Sequence, residues 1–480
     1  MASKLEYPQL RQCIGGGFQP GTGERSEPVV NPATEETLGH LRHVSASDVE
    51  LALDHSQRGF NDWRSVPALQ RGAKLRRVAS LIRERRESIA QLITLELGKP
   101  LAEALVETET AAELFEWAAE EARRTYGRTI PARVAGMRLT AERQPVGPVA
   151  GFSGWNAPLI TPSRKISGAL AAGCSIIMKP AETTPAVALA LMQCVLDADI
   201  PAGVAQMIFG DPDAVSRQLL ASPVIRLVTF TGSVEVGKHL TALAAETMKR
   251  TVMELGGHAP VIVCDDADVQ AMASLAASAK FRNSGQVCTS PTRFLIQRAV
   301  YEEFVAAFVG HAALLRVGDG FDPNVGMGPV ANARRLSAME ALTKDAVSEG
   351  AALALGGSRL ERPGFFFAPT VLRDVPRTCR AMREEPFGPI ALMVPFDDLD
   401  DAIALANALP LGLAGYACTT NTRRAAKLRD EMAVGTLAIN HFTASWAETP
   451  FGGLNESGLG SEGGIEGLQA FQQVRLISEA

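Results

Sequence analysis

The chain has 480 residues, 46% of them hydrophobic and 21% charged, with a formal net charge of −6. That length exceeds one ordinary core and calls for two or three domains. The mild charge and scattered basic residues give no footing to a nucleic-acid or membrane-surface role. No apolar run approaches the roughly 18–20 residues that a membrane span needs.

The start, MASKLEYPQL, has no long apolar core and does not read as a signal peptide. Seven cysteines are widely spaced, with no Cys-x-x-Cys pair and no Cys/His cluster. Neither a structural zinc nor any other metal is expected, and reduced thiols in a cytoplasmic protein are.

Leu75, Val78, Leu81, Ile82, Ile89, Leu92 and Ile93 recur at helical spacing. They predict one long amphipathic helix, ended by Gly98-Lys99-Pro100. A second helix is expected over residues 101–124, and Met137–Pro145 reads as an exposed strand. From residue 146, short apolar runs (VGPVAGFS, SIIMKP, VAQMIFG, IRLVTFTG) alternate with helical stretches such as PAVALALMQCVLDA. This alternation signals an α/β fold with a parallel sheet and crossover helices. A second series follows residue 257, with HAPVIVCDD, PTRFLIQ, APTVLRDV, PIALMVPF, GYACTTN and GTLAINH as strands. The last strand-like stretch, QVRLISE, follows a Gly-rich segment and is expected to pair outside its own domain.

Four places carry chemistry. Cys288 follows a Gly-Gln turn in FRNSGQVC, where a thiolate could attack a carbonyl; on spacing alone, a core thiol is an equal reading. Glu254 ends the strand-like run TVME before Leu255-Gly256-Gly257, a place for a general base or for a solvated surface carboxylate. Asn156 follows the turn Gly154-Trp155, as an oxyanion donor or a helix cap. Finally, FTGSVEVG runs from a strand into a helix whose free amides attract phosphate, although it is not GxGxxG.

These stretches occur in one order with GWNAP, MKPAETTP, FTGSVEVG, MELGGHAP, FRNSGQVC, EEPFGP and PFGGLNESGLG. Together they resemble the aldehyde dehydrogenase superfamily over nearly the whole chain. The resemblance implies a Rossmann-type cofactor domain (residues 1–125 and 146–255), an α/β catalytic domain (256–455) and a small bridging β element for oligomerisation (126–145 and 456–480). A homodimer or homotetramer is then expected. It also implies NAD(P)-dependent oxidation of an aldehyde to a carboxylic acid. Cys288 would be the nucleophile, Asn156 the oxyanion donor, Glu254 the deacylating base and Lys165 a supporting group. Phe230, Gly232, Ser233, Glu385 and Phe387 would line the cofactor site. Lys179 and Glu182 would hold the adenine ribose, and Glu182 favours NAD over NADP, with NADP still possible.

The substrate reading rests on Arg164, Arg282 and Ser445, which match positions of the succinate-semialdehyde dehydrogenase subgroup. Two guanidinium groups would hold a carboxylate on the substrate. Two alternatives stand beside it: an enzyme for uncharged aliphatic or aromatic aldehydes such as benzaldehyde, and a catalytically silent protein on the same fold. Ala157 stands where many members have Phe. Asn455 and Ser461 replace a Lys and an Arg common in the last motif. Trp446 adjoins Ser445.

Overall fold

A computed structural model describes residues 6–480. Its first sheet has eight strands, and five central ones are parallel: Ala205–Met207, Ile176–Lys179, Val149–Phe152, Leu227–Thr231 and Arg250–Glu254. From Val149–Phe152 the chain steps outward on one side and then returns to build the other. That reversal leaves a crevice at the carboxyl ends of Val149–Phe152 and Leu227–Thr231, the place where open α/β sheets bind ligands. Side chains alternate between the two faces, as strand geometry requires. Val149, Ile176, Met178 and Leu227 join one core, and Ala150, Phe152, Ile177 and Val228 the other. Burial on both faces explains why these strands read as unbroken apolar runs.

The second sheet has seven strands, six of them parallel: Thr370–Arg373, Ile390–Phe396, Arg293–Gln297, Pro260–Val263, Ala414–Cys418 and Thr436–Ile439. It too separates two cores, with Ile262 and Leu295 on one face and Val261, Val263 and Phe294 on the other. The expected exposed strand spans Arg138–Pro145. It pairs antiparallel with Gln472–Glu479, placing Pro145 opposite Gln472 and Arg138 opposite Glu479. Arg128–Ile130 completes this three-stranded sheet. The short strand Gly458–Leu459 instead pairs with Arg250–Glu254, so the C-terminal stretch contributes to two sheets.

The single long helix expected through Leu75–Ile93 is two helices, Ala68–Glu84 and Arg86–Leu97, broken at Arg85 (φ −106°, ψ 11°). Residues 83–88, RERRES, bring no apolar side chain to hold the ridge between Ile82 and Ile89. Arg85 turns away instead and donates to Asp197 at 2.5 Å. The hairpins Gln12–Ile14/Gly17–Gln19 and Ser26–Val30/Thr37–Arg42 have no counterpart in the expected strands. Among the described residues, no helix is long and apolar enough to cross a membrane.

Candidate active site

A cavity of about 660 Å³ opens at the sheet crevice. Its walls include Asn156, Arg164, Gly232, Ser233, Glu254, Arg282, Cys288, Glu385, Phe387 and Ser445. Ten of the fourteen site residues expected from sequence thus meet around one space, although they span nearly 300 positions. The first sheet supplies Glu254 at the end of its strand, and Asn156, Gly232 and Ser233 just past the ends of theirs. Cys288, Glu385 and Phe387 come from loops that precede strands of the second sheet.

All seven cysteines are free; six are buried and only Cys288 is half-buried. The backbone before it is strained. Asn283 (φ 49°), Ser284 (φ 55°) and Gly285 (φ 71°) are three consecutive left-handed residues. Asn tolerates this region and Gly enters it freely, but Ser does so at a cost, typically about 1–3 kcal/mol. Side-chain bonds hold the bend. Asn283 Nδ2 donates to Asn156 O at 2.9 Å and to Gln286 O at 3.2 Å, and Ser284 Oγ donates to Gly328 O at 2.8 Å. Gln286 Oε1 accepts from Ala331 N at 2.8 Å. Asn156 Nδ2 donates to Gln286 O at 3.1 Å, so the Asn156 loop and the thiol loop are tied directly.

The resting thiol is not activated. Burial pushes Cys288 up to about 12, the carboxylates Glu385 and Glu254 add to the rise, and Arg164 and the residue's own backbone N–H oppose it. Glu254 is itself raised well above the usual carboxylate range, first by burial and then by Glu462, against the pull of Lys165 and Arg164. Neither oxygen of its carboxyl has a hydrogen-bond partner. The Glu462 amide donates to Phe451 O at 2.7 Å and, close to Glu254 as well, pulls its carboxyl down a little against the rise. An unpartnered buried carboxyl facing a cavity is suited to accept a proton from a molecule that enters it.

Lys165 lies behind this wall, fully buried. It donates to Thr231 Oγ1 at 2.7 Å and pairs with Glu462, whose carboxylate also accepts from Thr229 Oγ1 at 3.1 Å. Glu462 stands 297 positions from Lys165, and nothing local in GSEGGIEG marks it as a partner.

Arg164 Nη2 donates to Ser445 Oγ at 2.6 Å, its guanidinium lies 5.4 Å from the Phe451 ring centre, and its Nη1 is buried without a partner. Arg282 is exposed on the cavity wall. Its charge is felt by Glu103, whose carboxylate accepts from Asn283 N at 2.8 Å. Trp155, Phe387, Phe442 and Phe451 give the same space an aromatic lining. Trp446 lies outside that lining, 48% exposed.

Three expected cofactor residues lie elsewhere. Phe230 is in the core with its ring under Gly232, because alternation along Leu227–Thr231 turns its neighbour Thr231 toward the cavity. Lys179 ends Ile176–Lys179, on the far side of Val149–Phe152, and donates to Glu182 at 2.5 Å; Glu182 also accepts from Gly210 N at 3.2 Å. The residues present suit a dinucleotide. Ser233 caps the helix Val234–Ala245, leaving free amides at its start. Glu385, held up to about 8 by burial, has no side-chain hydrogen-bond partner.

Residues 18–477 match the model of the aldehyde dehydrogenase family. The chain is 50% identical over 470 residues to a 4-(hydroxymethyl)benzenesulfonate dehydrogenase of Comamonas testosteroni, covering 98% of both chains. It is 38% identical to the NADP-dependent succinate-semialdehyde dehydrogenase of Escherichia coli, covering 97% of this chain and 96% of the relative. The crystal structure of a succinate-semialdehyde dehydrogenase from Burkholderia pseudomallei superposes with a TM-score of 0.97 at 36% identity, covering 100% and 99% of the two chains. Match, identity and superposition run the full length of the fold that builds the cavity: the chain belongs to the aldehyde dehydrogenase family and is an NAD(P)-dependent oxidoreductase.

Proposed function

We propose that this enzyme oxidises an aldehyde carrying an anionic group at its far end, either a sulfonate or a carboxylate, to the corresponding acid. The observation that carries the reading is the placement of Arg164 and Arg282 on the walls of the cavity that holds Cys288. The names of the relatives support it, because benzenesulfonate and succinate semialdehyde share an acid group and little else. The aromatic lining leaves a ring as acceptable as a short chain.

Cys288 gives its thiol proton to solvent water, Sγ adds to the carbonyl carbon, and the oxygen becomes an oxyanion facing Asn156 Nδ2 and the Cys288 N–H. When bound, the nicotinamide cofactor supplies the hydride acceptor. Loss of hydride from the thiohemiacetal leaves a thioester on Cys288. Glu254 takes a proton from water as that water attacks the thioester, and the acid leaves with the thiol restored. Lys165, through Thr231 and Glu462, fixes the floor under Glu254. Ser233, Glu385 and Phe387 hold the cofactor near the reacting carbon. Glu182 favours NAD, because a carboxylate repels a 2′-phosphate. Exposed Val474 and Leu476 on Gln472–Glu479 support assembly of two or four copies through that strand.

Matched substrates test the reading: benzaldehyde against 4-formylbenzenesulfonate and butanal against succinate semialdehyde, each with NAD and with NADP. The acid-bearing member of each pair should have the higher kcat/KM. Arg164→Leu and Arg282→Leu should each lower its kcat/KM by about 10- to 100-fold, as losing a charged hydrogen bond of about 1.5–3 kcal/mol implies, and leave the uncharged member nearly unchanged. Equal use of both members by the wild type, or indifference to the two substitutions, would remove the acid group from the substrate.

A further inference from the structure

The helix Ala333–Ser348 starts between two loops that each hold part of the site. On one side is the strained thiol loop. Ser284 Oγ donates to Gly328 O and Pro329 O, and Gln286 Oε1 accepts from Ala331 N, all just before the helix begins. On the other side is the corner Glu385–Gly388. There Arg335, in the first turn, donates through Nη2 to Pro386 O and, at 3.1 Å, to Phe387 O. Its guanidinium also lies 5.8 Å from the Phe387 ring centre.

Phe387 needs such a hold. Its φ of 46° is left-handed, an outlier for a bulky residue. Its ring packs edge-on against Trp155, centroids 5.5 Å apart, and both line the cavity. The two loops also touch each other. A Cβ on Gly285 would collide with Gly388 O, and one on Gly388 would collide with Met339, one turn along the same helix as Arg335. The two loops are therefore packed closely, with Gly285 against the Gly388 backbone.

We infer that Arg335 is a positioning residue: by clamping the Pro386 and Phe387 carbonyls it sets the Phe387 wall of the cofactor site and, through Gly388 and Gly285, the loop that carries Cys288. It rests on the reading that Phe387 faces the cofactor and Cys288 is the nucleophile. Arg335 also lines the cavity, but its hydrogen bonds go to the Pro386 and Phe387 carbonyls and none goes to Cys288. Nη2 alone meets both carbonyls while the planar guanidinium faces the Phe387 ring, a combination that a compact ammonium does not reproduce.

The test compares the wild type with Arg335→Leu and the milder Arg335→Lys. The readouts are calorimetric NAD affinity, iodoacetamide labelling of Cys288 without cofactor, and KM for the aldehyde. Arg335→Leu should weaken NAD binding by 10- to 100-fold and change the Cys288 labelling rate at least threefold, with the aldehyde KM within about twofold. Arg335→Lys should fall between. NAD affinity and labelling both within twofold of wild type, in whichever variant keeps the native circular-dichroism spectrum, would overturn the inference. A wild type that binds NAD and labels at Cys288 but oxidises no aldehyde would overturn the proposed function instead, and the first two readouts would still decide the role of Arg335.

Discussion

Glu254→Gln should release a single burst of NADH, about one per active chain, and then stall. Steady-state kcat should fall by about 10²- to 10⁴-fold, the usual contribution of a positioned base. In the proposed sequence hydride leaves before water attacks, so removing the base should spare the first half of the reaction and block the second. The same residue shapes the pH dependence. Burial and Glu462 hold its carboxyl above the ordinary range, so at low pH it carries a proton and cannot accept another. As pH rises it ionises and kcat rises with it, along a limb displaced above that of an ordinary carboxylate. The Gln variant should lose that limb. Rapid-mixing absorbance at the NADH band, repeated across pH, checks both points. A variant with no burst that still binds NAD would take the deacylating role away from Glu254.

Asn156→Ala carries the other large effect. One oxyanion donor is worth about 3–4 kcal/mol, so kcat/KM should fall by about 10²- to 10³-fold. Asn156 Nδ2 also donates to Gln286 O, and loss of that tie loosens the thiol loop. Asn156→Asp also loses both donations but keeps the side-chain shape, so an equal fall in that variant would assign the effect to the lost donor rather than to lost packing. Both variants should bind NAD as the wild type does. Steady-state kinetics within threefold of wild type for the Ala variant would place the oxyanion elsewhere.

The residues that the sequence made legible share one property: their signal is local or periodic. The parallel strands announced themselves because burial on both faces leaves unbroken apolar runs, as in SIIM and VIV. Gln472–Glu479 and Arg138–Pro145 were each legible as strands, but their joining in one element came only from the family resemblance. The hairpins before residue 43 were not, since three to six residues each are too few to show a period. The break at Arg85 was hidden because Ile82 and Ile89 keep helical spacing across it. In the site, Cys288, Glu254 and Asn156 each left a bland alternative open, and only their order with the other motifs singled them out. Phe230 was drawn in with its motif, but period-2 geometry turns Thr231 toward the cavity instead. Glu462, Asn283 and Arg335 were missed for another reason. Their partners lie far along the chain or act through backbone carbonyls, and neither leaves a mark on nearby residues.

The central claim is that Cys288 carries the substrate as a thioester. Its most direct test is the mass of Glu254→Gln after mixing with NAD and an acid-bearing aldehyde such as succinate semialdehyde or 4-formylbenzenesulfonate. One acyl group per chain should appear, on the peptide that contains Cys288 and on none of the peptides with the six buried cysteines. NADH formed without that adduct, or an adduct on another cysteine, would contradict the account.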